Sequence, residues 1–211
     1  MQKISLKEIE SMDKRFRTDL INSLWGVRPA VLVATENSSG QSNLAIFNSV
    51  IHIGAHPPLV GLIFRPDSVD RHTLTNILDQ RFYSLNFFTK DLINKAHHTS
   101  ARYPKDISEF DAVGLTIDRR EDFNAPFVKE SPLVIDVCFR EKIDIQVNGT
   151  HMVIGELQQL YIKENSISAG GWINHDFLGT IGAGGLDSYY SYSLEKRMEY
   201  AKPDLAPREK L

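Results

Sequence analysis

The sequence predicts a mainly β, barrel-like protein carrying a few short helices. Two observations point there. Short apolar runs recur between clusters of Gly, Pro, Asn, Asp and Ser, and helical spacing is confined to the opening stretch and two brief segments. No internal repeat or low-complexity tract is present, which disfavours a solenoid. With 211 residues, the whole chain from 1 to 211 is expected to form one domain, its core spanning about residues 15–165 and an extension following from about 166.

The elements follow in order. Leu6, Ile9, Phe16, Leu20, Ile21 and Leu24 fall at roughly helical spacing, with Ser5 as an N-cap and Gly26 as a stop. This is one amphipathic helix or two short ones. Ala30 to Thr35 is an apolar run ending in the turn-rich Glu36 to Gly40, a strand and a hairpin turn. Asn43 to His52 and Leu59 to Phe64 read as strands, separated by Gly54-Ala55-His56-Pro57-Pro58, whose prolines are expected to exclude regular ladder pairing. Thr73 to Gln80 reads as a helix capped by Thr73, Phe82 to Phe88 as a buried strand, and Asp91 to Thr99 as a second short helix. Ser100 to Glu109 is polar and irregular, as surface or interface loops are. Thr116 to Arg119, Leu133 to Ile145 and Met152 to Ile162 supply the remaining strands, the last two joined by the hairpin signal Asn148-Gly149. Beyond them Gly170-Gly171, Gly179, Gly182 and Gly184-Gly185 alternate with aromatics without a period, so this region is expected to be mostly loop.

Bulk chemistry narrows the function. A net charge of −3 offers no footprint for neutralising many phosphates, so nucleic acid is not an expected partner. The single Cys138 excludes an intramolecular disulfide and a multi-thiolate zinc site; inside the run Leu133 to Phe139 it is expected to act as a small buried hydrophobe. Met1 to Ser5 leads straight into charged residues without the apolar stretch of a secretory signal, and no window approaches the roughly 18 apolar residues of a membrane span. A soluble cytoplasmic protein, with no membrane partner, is expected. His52 and His56 are split by Ile53-Gly54-Ala55 and followed by Pro57-Pro58, and His97 and His98 are adjacent, so no metal is expected. Gly179 to Gly185 lacks the Lys-Ser/Thr ending of a Walker loop, and no Gly-x-Ser-x-Gly elbow occurs.

Two constellations carry chemistry. Asn43-Leu44-Ala45-Ile46-Phe47-Asn48-Ser49-Val50 mixes amides and a hydroxyl into an apolar strand. Those groups satisfy neighbouring backbone or solvent, or else they hydrogen-bond the polar edge of a flat ring. Phe64-Arg65-Pro66, with Arg71-His72-Thr73 opening a helix, brings two guanidinium groups and a hydroxyl to a helix N-terminus, where unsatisfied amides and the dipole favour an anion. One phosphate monoester suits it; a solvated basic turn is the alternative.

Taken together, Leu20 to Gly26, Asn43 to Val50, His56-Pro57-Pro58-Leu59-Val60-Gly61, Arg65-Pro66, His72 to Ile77, Tyr83-Ser84-Leu85-Asn86, Ser108-Glu109-Phe110-Asp111 with Gly114-Leu115-Thr116, and Ser131-Pro132-Leu133 resemble the flavin reductase-like FMN-binding split barrels, in that family's order. The resemblance covers about residues 15 to 165. It implies a six-stranded antiparallel Greek-key split barrel with peripheral helices, a homodimer, and FMN rather than FAD in a groove at the subunit interface. The flavin ring would lie near Ala45, Ile46, Phe47, Asn48 and Ser49. Arg65, Arg71 and Thr73 would hold the phosphate beside Phe64 and His72, and Ser100 to Tyr103 would border the site from this or the other subunit. The implied activity is that of an NAD(P)H-dependent flavin reductase, with NADH or NADPH as co-substrate and no catalytic side chain, because the flavin carries the hydride. A flavoredoxin-like electron carrier working with a redox protein partner is the alternative, and a split barrel whose ligand is not flavin a third. Small hydroxyl residues common in the family are replaced here by Ile46 and Asn48, and a common lysine by Arg71.

Overall fold

The structure is a computed structural model describing residues 1–66 and 71–210. Its N-terminus holds two short helices. Ser5 caps α1 (Leu6–Ser11) through a reciprocal capping box with Glu8, and Asp13 caps α2 (Lys14–Ser23) by accepting from the amides of Arg15 and Phe16. Neither helix buries a residue, so the apolar stripe read from the sequence packs against no core within the single chain. Phe16, Leu24 and Trp25 are at least 60% exposed.

The strands β1 (Arg28–Pro29), β2 (Val31–Glu36), β3 (Ser42–Phe47), β4 (Val50–Ala55) and β5 (Pro58–Phe64) follow, then α3 (His72–Gln80) and β6 (Phe82–Phe87). A 3₁₀ turn at Lys90–Leu92 leads into α4 (Ile93–His98), α5 (Glu109–Val113), and the short pair β7 (Ile117–Asp118) and β8 (Phe127–Val128). The long hairpin β9 (Leu133–Ile145) and β10 (Thr150–Ile162) precedes α6 (His175–Leu178), β11 (Ile181–Gly184) and β12 (Ser188–Ser191).

The main sheet is antiparallel, in the order β3-β2-β6-β9-β10-β5-β4. Consecutive strands β3 and β4 thus end up at its two opposite edges, which leaves the barrel split. Seven strands stand where six were expected because the run Asn43 to His52 breaks at Asn48-Ser49. There the Ser49 hydroxyl donates to the Ile63 carbonyl (3.0 Å) and the Ile63 amide donates back to the Ser49 carbonyl (3.2 Å), turning the chain onto β5. The prolines do not abolish pairing either: Ala55 pairs with Pro58, the first residue of β5, where a missing N–H is tolerated.

Strand β2 is buried on both faces, which explains its unbroken apolar run. Ala30, Leu32 and Ala34 join Leu44, Phe88, Ala96 and Phe110 in one cluster, while Val31 and Val33 join Leu62, Phe64, Leu74, Ile77 and Tyr83 in another. Cys138 is only half-buried, its thiol directed at the Phe139 carbonyl, rather than enclosed as expected. Among the described residues, no helix is long and apolar enough to cross a membrane.

The glycine-rich C-terminal region is mostly irregular, as expected, but it contributes α6, β11 and β12. β11 pairs with both β1 and β12, and Ile181 and Ala183 are 2% and 5% exposed within the first cluster. Gly182 on β11 marks close packing: a Cβ there would lie 2.5 Å from Val27 Cγ1 and 2.7 Å from the Tyr192 hydroxyl.

Candidate functional site

The site begins at the open edge of β3. The Leu44 amide donates to Glu109 Oε2 on α5 at 2.9 Å, so it points away from β2. Leu44 therefore sits in a non-hydrogen-bonded pair with Ala34, and the antiparallel alternation turns the amide of Ile46, opposite Leu32, outward as well. Side chains alternate in the same way. Leu44 and Ile46 face the first cluster, leaving Asn43, Ala45 and Phe47 on the face covered by α3. The Phe47 ring meets Phe64 at the end of β5, centroids 5.0 Å apart and steeply tilted.

The anionic end is built by α3. Arg71 occupies the N-cap position without a side-chain cap bond, so Thr73 is not the cap that its residue type suggested. It is the second helical residue, buried, and its hydroxyl accepts from the Asn43 side-chain amide at 2.9 Å, tying the β3 edge to the helix start. Arg71 Nη2 donates to the Pro66 carbonyl at 3.3 Å, while its Nε is buried with no partner among the described residues. His72 is half-buried as the first helical residue, and Arg65 is exposed just beyond β5. A buried guanidinium N–H without an acceptor costs free energy, and beside the unsatisfied amides of a helix start it is the partner that a phosphate oxygen satisfies. Arg71 and the outward Ile46 amide thus fit a phosphorylated flat ring.

The remaining expected residues have other partners. Asn48 donates its amide to the Gly185 carbonyl (2.7 Å), bringing the C-terminal turn against the end of β3, and Ser49 is held by Ile63 as described above. Ser100 donates to the His97 carbonyl (2.7 Å), and the Tyr103 hydroxyl pairs with His98 Nδ1 (3.0 Å); both contacts are local to the end of α4. Their loop returns toward the site further along, where Lys105 and Ile107 line a crevice with Ser42, Asn43, His72 and Asn76.

Glu109 was read as the end of a polar loop and as part of the Ser108-Glu109-Phe110-Asp111 motif, with no role at the site, yet it is 8% exposed against β3. Burial pushes its carboxyl above the usual range, opposed by hydrogen bonds from the Leu44 amide and its own amide and by the nearby His72 ring. Its sequence signal was faint: an acid directly before the buried Phe110. Among the described residues, no group of three or more His, Cys, Asp or Glu is placed to hold a metal ion.

The flavin reductase like domain matches residues 27–179, most of the chain. The chain belongs to the flavin reductase-like family. A split-barrel protein of Shewanella frigidimarina whose crystal structure bears the name flavin reductase is 42% identical to this flavin reductase-like chain, covering 95% of it and 100% of the other, with a TM-score of 0.92. Nitrilotriacetate monooxygenase component B from Bacillus cereus shares the fold at 18% identity (TM-score 0.81, covering 93% and 98%). The flavoredoxin of Desulfovibrio vulgaris does so too, again at 18% identity (TM-score 0.70, covering 86% and 93%).

Proposed function

We propose that this flavin reductase-like protein is an FMN-binding oxidoreductase, an NAD(P)H-dependent flavin reductase working in the cytoplasm as a homodimer with FMN in the interfacial groove. The observation that carries the reading is the buried, unpartnered Arg71 Nε at the start of α3, within one hydrogen-bonded unit with the β3 edge through Asn43 and Thr73. A single helix start flanked by Arg71 and Arg65 suits a single phosphate monoester, hence FMN rather than FAD.

A bound flavin supplies hydride transfer by its own chemistry. The chain's task is to bind and orient. Arg71, with Arg65 and the first-turn amides of α3, would hold the anionic tail. The outward Ile46 amide would donate to the polar edge of the ring, and a preorganised donor there favours negative charge on it. Ala45, Phe47 and Phe64 would give the ring apolar neighbours.

The test is optical. Freshly purified protein, or protein given FMN, should show a flavin band near roughly 450 nm, and anaerobic NADH or NADPH should bleach it rapidly. Bound flavin that neither nucleotide bleaches would replace the reductase by an electron carrier acting with a redox protein. Failure to take up FMN would overturn the whole reading.

A further inference from the structure

The outer edge of β3, where a neighbouring strand would otherwise lie, is gripped at two successive outward positions by the start of α5. The Ser42 and Ser108 hydroxyls meet at 3.0 Å, and Glu109 accepts the Leu44 amide at 2.9 Å. The grip ends there, and the next outward position is Ile46. We propose that Glu109 is a positioning residue for the cofactor: its buried carboxylate pins the Leu44 amide and so holds the β3 edge with the Ile46 amide presented to the flavin. This rests on the FMN reading above.

A neutral acceptor would satisfy one strand amide at much lower desolvation cost than a carboxylate that is 8% exposed. What the charge adds is a shorter, stronger and more directional bond, which matters where a neighbouring amide must keep its place. Among the described residues it is not one half of an ion pair. His72 approaches from α3, and Lys105 lines the adjoining crevice. Lys95 on α4 donates instead to the Gly114 carbonyl, Asp111 on α5 is exposed, and the β3 residues Ser42 and Leu44 carry no charge. Raised by burial, the Glu109 carboxyl gains its proton at a higher pH than an ordinary glutamate, so the grip weakens on mild acidification.

The experiment titrates FMN into apoprotein by flavin fluorescence from about pH 5 to 8, for wild type and Glu109→Gln, with thermal melts of both apoproteins alongside. The flavin phosphate itself titrates near pH 6, so the ratio of the two affinities is the quantity to follow. At neutral pH, Glu109→Gln should bind FMN on the order of tenfold more weakly although it melts no lower than wild type, and the difference should shrink toward pH 5. Equal affinities across the range, or a loss of binding that merely tracks a lower melting temperature, would overturn the positioning role alone. Wild-type protein that binds no FMN at any pH would overturn the parent reading, and this one with it. Glu109→Ala, which removes the acceptor altogether, should weaken binding further where it folds.

Discussion

At the scale of single residues, charged groups sit where folding alone would not put them. The Arg71 guanidinium keeps a buried N–H unpaired, so Arg71→Ala should leave apoprotein stability nearly unchanged while weakening FMN binding by about 1.5–3 kcal/mol, as isothermal titration would show. Glu109 has its carboxyl pKa raised, so the folded state holds a proton that the unfolded state releases above pH 4.5, and stability falls as pH rises through that window. Glu109→Gln removes this loss. Its melting temperature should exceed that of wild type at neutral pH, and the advantage should vanish once the pH falls below 4.5. The helix start at Arg71-His72-Thr73 was legible in the sequence because its members are adjacent, although the N-cap is Arg71 and not Thr73. Glu109 was not, because its partner Leu44 lies 65 positions away and one acid before a Phe carries no mark of it.

At the scale of elements, local signals read well and packing signals were misread. The β9–β10 hairpin was legible because Asn148-Gly149 marks its turn and Gly149 takes a positive φ there. The break between β3 and β4 was not, since a single Ser and Asn bond to distant carbonyls at Ile63 and Gly185. The glycines of β11 were read as part of a loop, although at Gly182 neighbouring side chains come too close for a Cβ. Gly155 on β10 is of the same kind. It sits at an irregularity of the β9–β10 register, and a Cβ there would overlap the Tyr83 hydroxyl and Val137 Cγ1. Gly155→Ala should therefore destabilise the protein by about 1–3 kcal/mol in chemical denaturation. The Tyr83 hydroxyl it would strike is itself buried and without a partner among the described residues, so Tyr83→Phe should cost nothing, or stabilise slightly, in the same measurement.

At the scale of the whole molecule, the split-barrel class was legible because many weakly specific segments recur in one order, and the match across residues 27–179 bears it out. How the chain covers its own apolar surface was not legible: α1 and α2 carry an amphipathic pattern, yet Phe16, Leu24 and Trp25 stay exposed in the single chain. Contiguous exposed apolar side chains mark contact surfaces, which accords with the proposed homodimer. Sedimentation should then give a species of twice 23.9 kDa, and Leu24→Glu with Trp25→Glu should shift it toward the monomer. A wild-type monomer at all concentrations would remove the interfacial groove from the proposal.

The bond from Asn48 to Gly185 spans 137 positions, and Ile181 and Ala183 complete a cluster founded on β2. A chain emerging from the ribosome therefore cannot seal that cluster until synthesis has passed residue 183. Long-range closure of this kind slows folding and leaves apolar surface uncovered in the meantime. Nascent chains stalled before residue 180 should accordingly be captured by chaperones and cut readily by protease, whereas full-length chains should become resistant soon after release.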